Sequence, residues 1–123
     1  IYGNDYKTKD GTCVRDYMHV SDLANIHIKS LDFLEKNKKP FILNCGYGQG
    51  YSVKQIVKIF FKIKKNIIIK FKDRRPGDVA QVYANTKKFK RILKWRPKFN
   101  DIEKIIKSAI KWERSLNKIL KNL

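Results

Sequence analysis

An α/β fold of short strands and about four helices is predicted by three observations. Apolar residues recur at helical spacing in four separate stretches. Short apolar or alternating runs of strand type lie between them, and Asn, Asp, Gly and Pro punctuate the junctions. At 123 residues the chain fits one domain, 1–123, long enough to bury a core.

Ile1-Tyr2-Gly3 has the character of a strand end, and Asn4 to Gly11, with its Asn-Asp and Asp-Gly pairs, reads as a turn or hairpin loop. Val14 to Val20 alternates large and polar side chains as a short strand. Ser21 is the expected N-cap of a helix whose apolar members Leu23, Ile26, Leu31 and Leu34 carry it to about Asn37, before Lys38 to Pro40 ends it. Phe41 to Cys45 is an apolar run and is predicted to be a buried strand. Gly46-Tyr47-Gly48-Gln49-Gly50 follows it, and strand, Gly-rich turn and helix is also how a dinucleotide site begins. The full Gly-x-Gly-x-x-Gly pattern fails, because Tyr51 stands where a third glycine would let the helix pack closely, and no acidic residue follows about 20 positions on. A structural turn is the preferred reading.

Ser52-Val53-Lys54-Gln55 is a capping box, and Val53, Ile56, Val57, Phe60, Phe61 and Ile63 give the next helix its apolar side. After Asn66, Ile67 to Phe71 is β-branched and aromatic and predicts a strand that delivers the chain to a loop, Asp73-Arg74-Arg75-Pro76-Gly77-Asp78. Asn85 and Thr86 can cap a helix built on Phe89, Ile92 and Leu93 and ending near Trp95 and Pro97. Asn100 to Glu103 reads as another capping box. Beyond it Ile102, Ile105, Ile106, Ala109, Trp112, Leu116, Ile119 and Leu120 make the longest amphipathic helix, expected to serve packing.

Composition narrows the partners. There are 29 Lys and Arg against 11 Asp and Glu, a net charge of +18. Such a balance raises nucleic acid as a partner. The excess is mostly lysine, spread along the whole chain beside many Ile and Asn residues, as A/T-rich codons would give; a solvated surface is preferred to a nucleic-acid face. Cys13 and Cys45 have no metal-ligand spacing and are expected as reduced thiols, with no metal site. No apolar run approaches the ~20 residues of a membrane span, and the cytoplasm is the expected address. The chain opens on Ile1, and its one methionine is Met18, so it is expected to be the tail of a longer polypeptide.

Two segments offer phosphate-binding chemistry. Arg15 lies on a strand just before a helix start, and Arg74 and Arg75 lie in a loop leaving a strand. A guanidinium presents a planar fork of donors and keeps its charge, so two such sites on one small domain point to a phosphorylated ligand.

The run Thr12-Cys13-Val14-Arg15-Asp16-Tyr17-Met18-His19-Val20-Ser21-Asp22-Leu23, preceded by Ile1 to Tyr6, resembles the carboxy-terminal half of the UDP-glucose 4-epimerases of the extended short-chain dehydrogenase/reductase family. The resemblance continues through Leu43 to Val53, Arg74 to Asp78 and Leu93 to Pro97, nearly the whole chain; the Arg-Asp-Tyr and Arg-Arg-Pro-Gly-Asp segments are its specific parts. It implies the substrate-binding C-terminal lobe of an extended Rossmann-type dehydrogenase fold. In the site it implies, Tyr2 lies against uracil, Arg15 and Arg75 hold the diphosphate, and Asp78 accepts from the ribose hydroxyls. Elementary chemistry agrees, since two cations suit two phosphates, an aromatic ring a flat base, and a carboxylate a vicinal diol. Tyr17 is a further candidate contact, although a strand tyrosine serves packing equally well. Val82 falls at a position near the hexose 2-substituent, where tyrosine resembles a gate and valine leaves room, so UDP-N-acetylhexosamines are expected beside UDP-glucose and UDP-galactose.

Family chemistry implies that NAD takes the hydride from C4 of the sugar and returns it to the other face of a 4-keto intermediate, with a Tyr-x-x-x-Lys pair moving the proton. Those parts, and NAD itself, are expected in an amino-terminal domain outside this chain, which alone is expected to be inactive, with no catalytic residue of its own; the full-length protein is expected to be a homodimer. Tyr83 and Lys87 have the catalytic spacing, but Asn85-Thr86 reads as a helix start between them, which makes the pair a decoy. The sequence departs from the family at Lys94, where glycine is frequent; in a left-handed helix end a lysine costs about 1 kcal/mol. Another nucleotide-sugar epimerase or a 4,6-dehydratase remains open within the enzyme class, and a basic nucleic-acid-binding module outside it.

Overall fold

Three two-residue strands and four helices make up the architecture in the computed structural model, which describes residues 1–121. The last two residues of the expected 1–123 domain therefore lie outside the described residues. Strand β1 (Val14–Arg15) is central: β2 (Tyr51–Ser52) runs antiparallel to it, with Val14 opposite Ser52 and Arg15 opposite Tyr51. On its other side β3 (Gln81–Val82) runs parallel, with Val14 opposite Gln81 and Arg15 opposite Val82. The expected strand Val14 to Val20 thus stops after two residues. Beyond Arg15 the backbone leaves the ladder, Met18 packs against the core, and the next helix follows at once.

Helix α1 (Val20–Asn37) starts two residues earlier than expected. His19, not Ser21, is the N-cap, its Nδ1 accepting from the Ser21 amide at 3.1 Å. An imidazole nitrogen satisfies a first-turn donor as a carboxamide or hydroxyl oxygen does. Lys38 ends the helix in the left-handed region (φ 54°). Helix α2 (Val53–Ile63) has the expected capping box: the Gln55 amide donates to Ser52 Oγ at 3.1 Å and the Ser52 amide to Gln55 Oε1 at 2.7 Å. Helix α3 (Lys87–Leu93) ends at Lys94, which is left-handed as anticipated (φ 46°). Helix α4 (Ile102–Lys121) is capped by Asp101, whose Oδ1 accepts from the Glu103 and Lys104 amides; the expected box on Asn100 is displaced by one residue.

Two expected strands do not form. Phe41 to Cys45 is irregular, and Ile42 is 84% exposed, because none of the described segments lies alongside to pair with its backbone. Ile67 to Phe71 is also outside any ladder. The chain is held there by Ile1 to Gly3, through Gly3 N–H to the Lys72 carbonyl and Lys72 N–H to the Ile1 carbonyl, both 2.8 Å, and one parallel bridge between Tyr2 and Lys72.

The core is aromatic. Ile26 from α1, Tyr47 from the glycine turn, and Phe89, Leu93 and Trp95 from α3 and its exit are buried together, with Met18, Phe33, Leu43, Ile92 and Ile105 around them. Tyr47 stacks on Trp95 with centroids 6.4 Å apart, and Phe89 tilts against Trp95 at 5.3 Å. Burying a side chain such as Phe89 contributes about 1.5–3 kcal/mol. Helix α4 packs only in part: Ile106 is buried, whereas Trp112, Ile119 and Leu120 are exposed, so the expectation of a packing helix holds for its first turns. No helix among the described residues is long and apolar enough to cross a membrane.

Candidate nucleotide-sugar site

Strand β1 fixes Arg15 by its backbone, and Arg15 Nη1 donates to the Val14 carbonyl at 2.8 Å, which aims the other end of the fork outward. There Nη2 meets Asp78 Oδ1 at 3.4 Å. Asp78 sits at the end of the Arg-Arg-Pro-Gly-Asp loop, where Gly77 takes a left-handed conformation (φ 82°) and the Asp78 amide closes the turn on the Arg75 carbonyl at 3.2 Å. Its second oxygen accepts from Arg75 Nε at 3.0 Å. One carboxylate therefore bridges two guanidiniums that are 60 positions apart in sequence.

Tyr2 completes the cluster. The Arg75 guanidinium lies over its ring at 4.9 Å, and the residue remains 45% exposed. Arg74, beside Arg75, is used differently. It donates through Nε to Asp5 Oδ1 and through Nη2 to the Asp5 carbonyl, each at 2.7 Å, and covers Tyr6 at 4.3 Å. That clamp fastens the loop to the first residues of the chain and presents Arg75 over Tyr2.

The structure thus brings Tyr2, Arg15, Arg75 and Asp78 together. Val82 lies next to them, opposite Arg15 in the β1–β3 register and half exposed on a cleft of about 580 Å³ that Asn44, Cys45, Tyr83 and Asn85 also line. Tyr17 is half-buried, and burial raises its hydroxyl pKa, against the pull of Arg15; no hydrogen bond among the described residues joins it to the cluster. Tyr83 lies between β3 and α3, ahead of the helix that begins at Lys87, so the Tyr83 and Lys87 side chains share no helical face.

Sequence reasoning passed over Asp16 as a functional group. Its Oδ1 accepts from the Tyr47 amide at 3.1 Å, and its Oδ2 from the Gly48 and Ala84 amides at 2.9 and 3.2 Å. The one available signal was an acid beside Arg15 with a glycine-rich turn later in the chain. These bonds also decide the character of that turn. Two of its amides, those of Tyr47 and Gly48, are taken by a carboxylate of the protein, which puts a negative charge where a dinucleotide site would receive the pyrophosphate and favours the structural turn.

A family model described as GDP-mannose 4,6 dehydratase matches residues 1–109. The chain belongs to this family. A UDP-glucose 4-epimerase of Azospirillum brasilense is 44% identical over 117 residues, which is 94% of this chain and 34% of that protein. Among solved structures, the UDP-glucose-4-epimerase of Stenotrophomonas maltophila with bound NAD and formylated UDP-arabinopyranose is 35% identical, covers 97% of this chain and 35% of its own, and superposes with a TM-score of 0.85. The Bifidobacterium longum UDP-glucose 4-epimerase in complex with NAD+ and UDP is 39% identical over 94% of this chain and 34% of its own, with a TM-score of 0.84. The chain spans about a third of the length of the curated relatives it matches, and the matched part is carboxy-terminal. The fold is accordingly that of the carboxy-terminal lobe of the extended short-chain dehydrogenase/reductase epimerases.

Proposed function

We propose that this chain is the UDP-sugar-binding lobe of a UDP-glucose 4-epimerase, a cytoplasmic, homodimeric isomerase of galactose metabolism that interconverts UDP-galactose and UDP-glucose. NAD supplies the hydride chemistry of the 4-keto route and belongs to the part of the enzyme outside this chain. The observation that carries the reading is the Arg15–Asp78–Arg75 bridge set over the Tyr2 ring. Two fixed cations with unused N–H groups accept the diphosphate, the Tyr2 ring takes the uracil, and Asp78, exchanging its arginines for the ligand, accepts from the ribose hydroxyls. The hexose extends into the cleft beside Val82, which leaves room for an N-acetyl group.

Calorimetric titration of the chain with UDP tests the binding half. Arg15→Ala and Arg75→Ala are each expected to weaken UDP roughly tenfold or more, as loss of a charge-assisted hydrogen-bond donor does. RNA binding that is steeply salt-dependent and indifferent to both substitutions would support a basic nucleic-acid module instead. Product analysis tests the reaction, in a chimera joining this chain to the amino-terminal part of the Azospirillum brasilense relative. UDP-galactose is expected to yield UDP-glucose; a 4-keto-6-deoxy product would identify a dehydratase.

A further inference from the structure

We infer that Asp16 is a positioning residue that sets the width of the sugar cleft and the aim of Arg15, an inference that rests on the nucleotide-sugar reading above. The sheet cannot do this alone. Its ladders end at Arg15, opposite Tyr51 on one side and Val82 on the other, so the chain leaves regular pairing where the cleft begins. Asp16 continues the connection with its side chain. Arg15 and Asp16 form the cleft floor, Asn44 and Cys45 one wall, and Val82 and Tyr83 the other. The Asp16 carboxylate holds the first wall through the Tyr47 and Gly48 amides just beyond it, and the second through the Ala84 amide.

Only a carboxylate suits this place. It accepts on both oxygens and carries no donor, whereas the isosteric carboxamide would turn an NH2 group toward amide donors. Gly46 belongs to the same device. A Cβ there would run into Asp16 Oδ2 and approach the Ala84 Cβ to 2.7 Å, so the glycine is what lets the two walls close on the carboxylate. Substituting either residue disturbs one junction, and their effects are therefore coupled.

Calorimetric affinity for UDP-glucose, thermal midpoints and amide exchange by NMR are measured on the chain, on Asp16→Asn, on Gly46→Ala and on the double variant, well below each midpoint. Asp16→Asn is expected to weaken UDP-glucose roughly ten- to hundredfold. It is also expected to speed exchange at Tyr47, Gly48 and Ala84 while α2 stays protected. Gly46→Ala is expected to do the same, and the double variant to be no worse than the poorer single. A lower midpoint with unchanged affinity in the folded variants would overturn the inference, as would losses that simply add. If Asp16→Asn does not fold, Gly46→Ala carries the comparison, and unchanged affinity there overturns it. Failure of the unsubstituted chain to bind either UDP or UDP-glucose would instead remove the nucleotide-sugar reading, and the inference with it.

Discussion

Replacing Asp22 with asparagine is expected to cost about 3–5 kcal/mol of folding stability. Asp22 is 1% exposed. Its carboxylate accepts the Tyr47 hydroxyl at 2.7 Å, the Phe99 amide at 2.9 Å and the Lys98 amide at 3.1 and 3.2 Å, while the Tyr47 oxygen accepts the His19 amide at 3.2 Å. One side chain thereby joins the start of α1 to the glycine turn and to the approach to α4. An asparagine can keep its oxygen on Tyr47, Phe99 and, at 3.2 Å, the Lys98 amide, but those bonds lose charge assistance, at about 1 kcal/mol each, and its NH2 meets the Lys98 N–H where the other oxygen had accepted at 3.1 Å, a lost bond worth about 1–2 kcal/mol. Against a total of about 5–15 kcal/mol the variant should be marginal, its urea midpoint lower by roughly 2 M. Trp95, 3% exposed and stacked on Tyr47, reports unfolding by its fluorescence. A second arm uses pH. Burial alone would raise the Asp22 carboxyl, but the bonds from Tyr47, Phe99 and Lys98 outweigh it and hold it below its ordinary value. A depressed folded pKa contributes stability that is present above the unfolded value of about 3.9 and lost as pH falls through the folded one, so the gap to Asp22→Asn should close in acid. A midpoint shift under roughly 0.5 M at neutral pH, or a gap that persists in acid, refutes the reasoning.

Tyr47 gives the alkaline counterpart: burial and then its hydrogen bond to Asp22 push its hydroxyl up to about 12. A raised folded pKa contributes stability that is present below about 10 and lost as pH rises through the folded value, so one late tyrosinate step in the ultraviolet spectrum should coincide with unfolding, and should vanish in Tyr47→Phe. Lys94→Gly removes a side chain from a left-handed helix end and should raise stability by about 1 kcal/mol in urea titration. Val82→Tyr fills the cleft wall opposite Arg15 and should abolish binding of UDP-N-acetylglucosamine while UDP still binds; equal retention of both ligands would contradict the gate.

The helices were legible because their signals are local. Ser52 and Gln55 satisfy each other within one turn, and Phe89, Ile92 and Leu93 repeat within one helix, so spacing alone placed α2 and α3. The strands were not, because a strand is defined by its neighbours. Ile42 and Ile68 have the right residue type and no ladder partner, whereas Val14 and Arg15 form ladders with residues 36 to 38 and 67 positions away. Caps failed by small shifts for a similar reason. His19 outcompetes Ser21 because its ring also stacks on Phe99 at 4.5 Å, a tertiary contact no capping rule contains. At the site, residue chemistry indicated Arg15 and the Arg74–Arg75 loop, and the family resemblance singled out Arg75 and Asp78, but the bridge of Asp78 to both arginines, and the use of Arg74 as a clamp on Asp5, depend on a loop whose path only packing reveals.

Asp10, Asp16 and Asp22 show how a chain of charge +18 holds itself together. Asp10 accepts from the Ser52 hydroxyl and the Thr12 amide and hydroxyl, Asp16 from the two cleft walls, and Asp22 from Tyr47 and the residues before α4. Each ties a different later part of the chain back to the stretch that carries Arg15. A carboxylate is suited to such ties because backbone amides, which every segment offers, are donors, and an acceptor without a proton can serve several at once. Most of the lysines remain on the surface, since a buried ammonium needs acceptors and loses strong hydration; Lys54, partly buried, has found one in the Asp10 carbonyl at 2.7 Å. These three acids therefore act inward, while most of the bases stay outward. The exception is the place where Arg15 and Arg75 converge on one partly buried carboxylate, and on the proposed reading the diphosphate is the anion that completes the two cations.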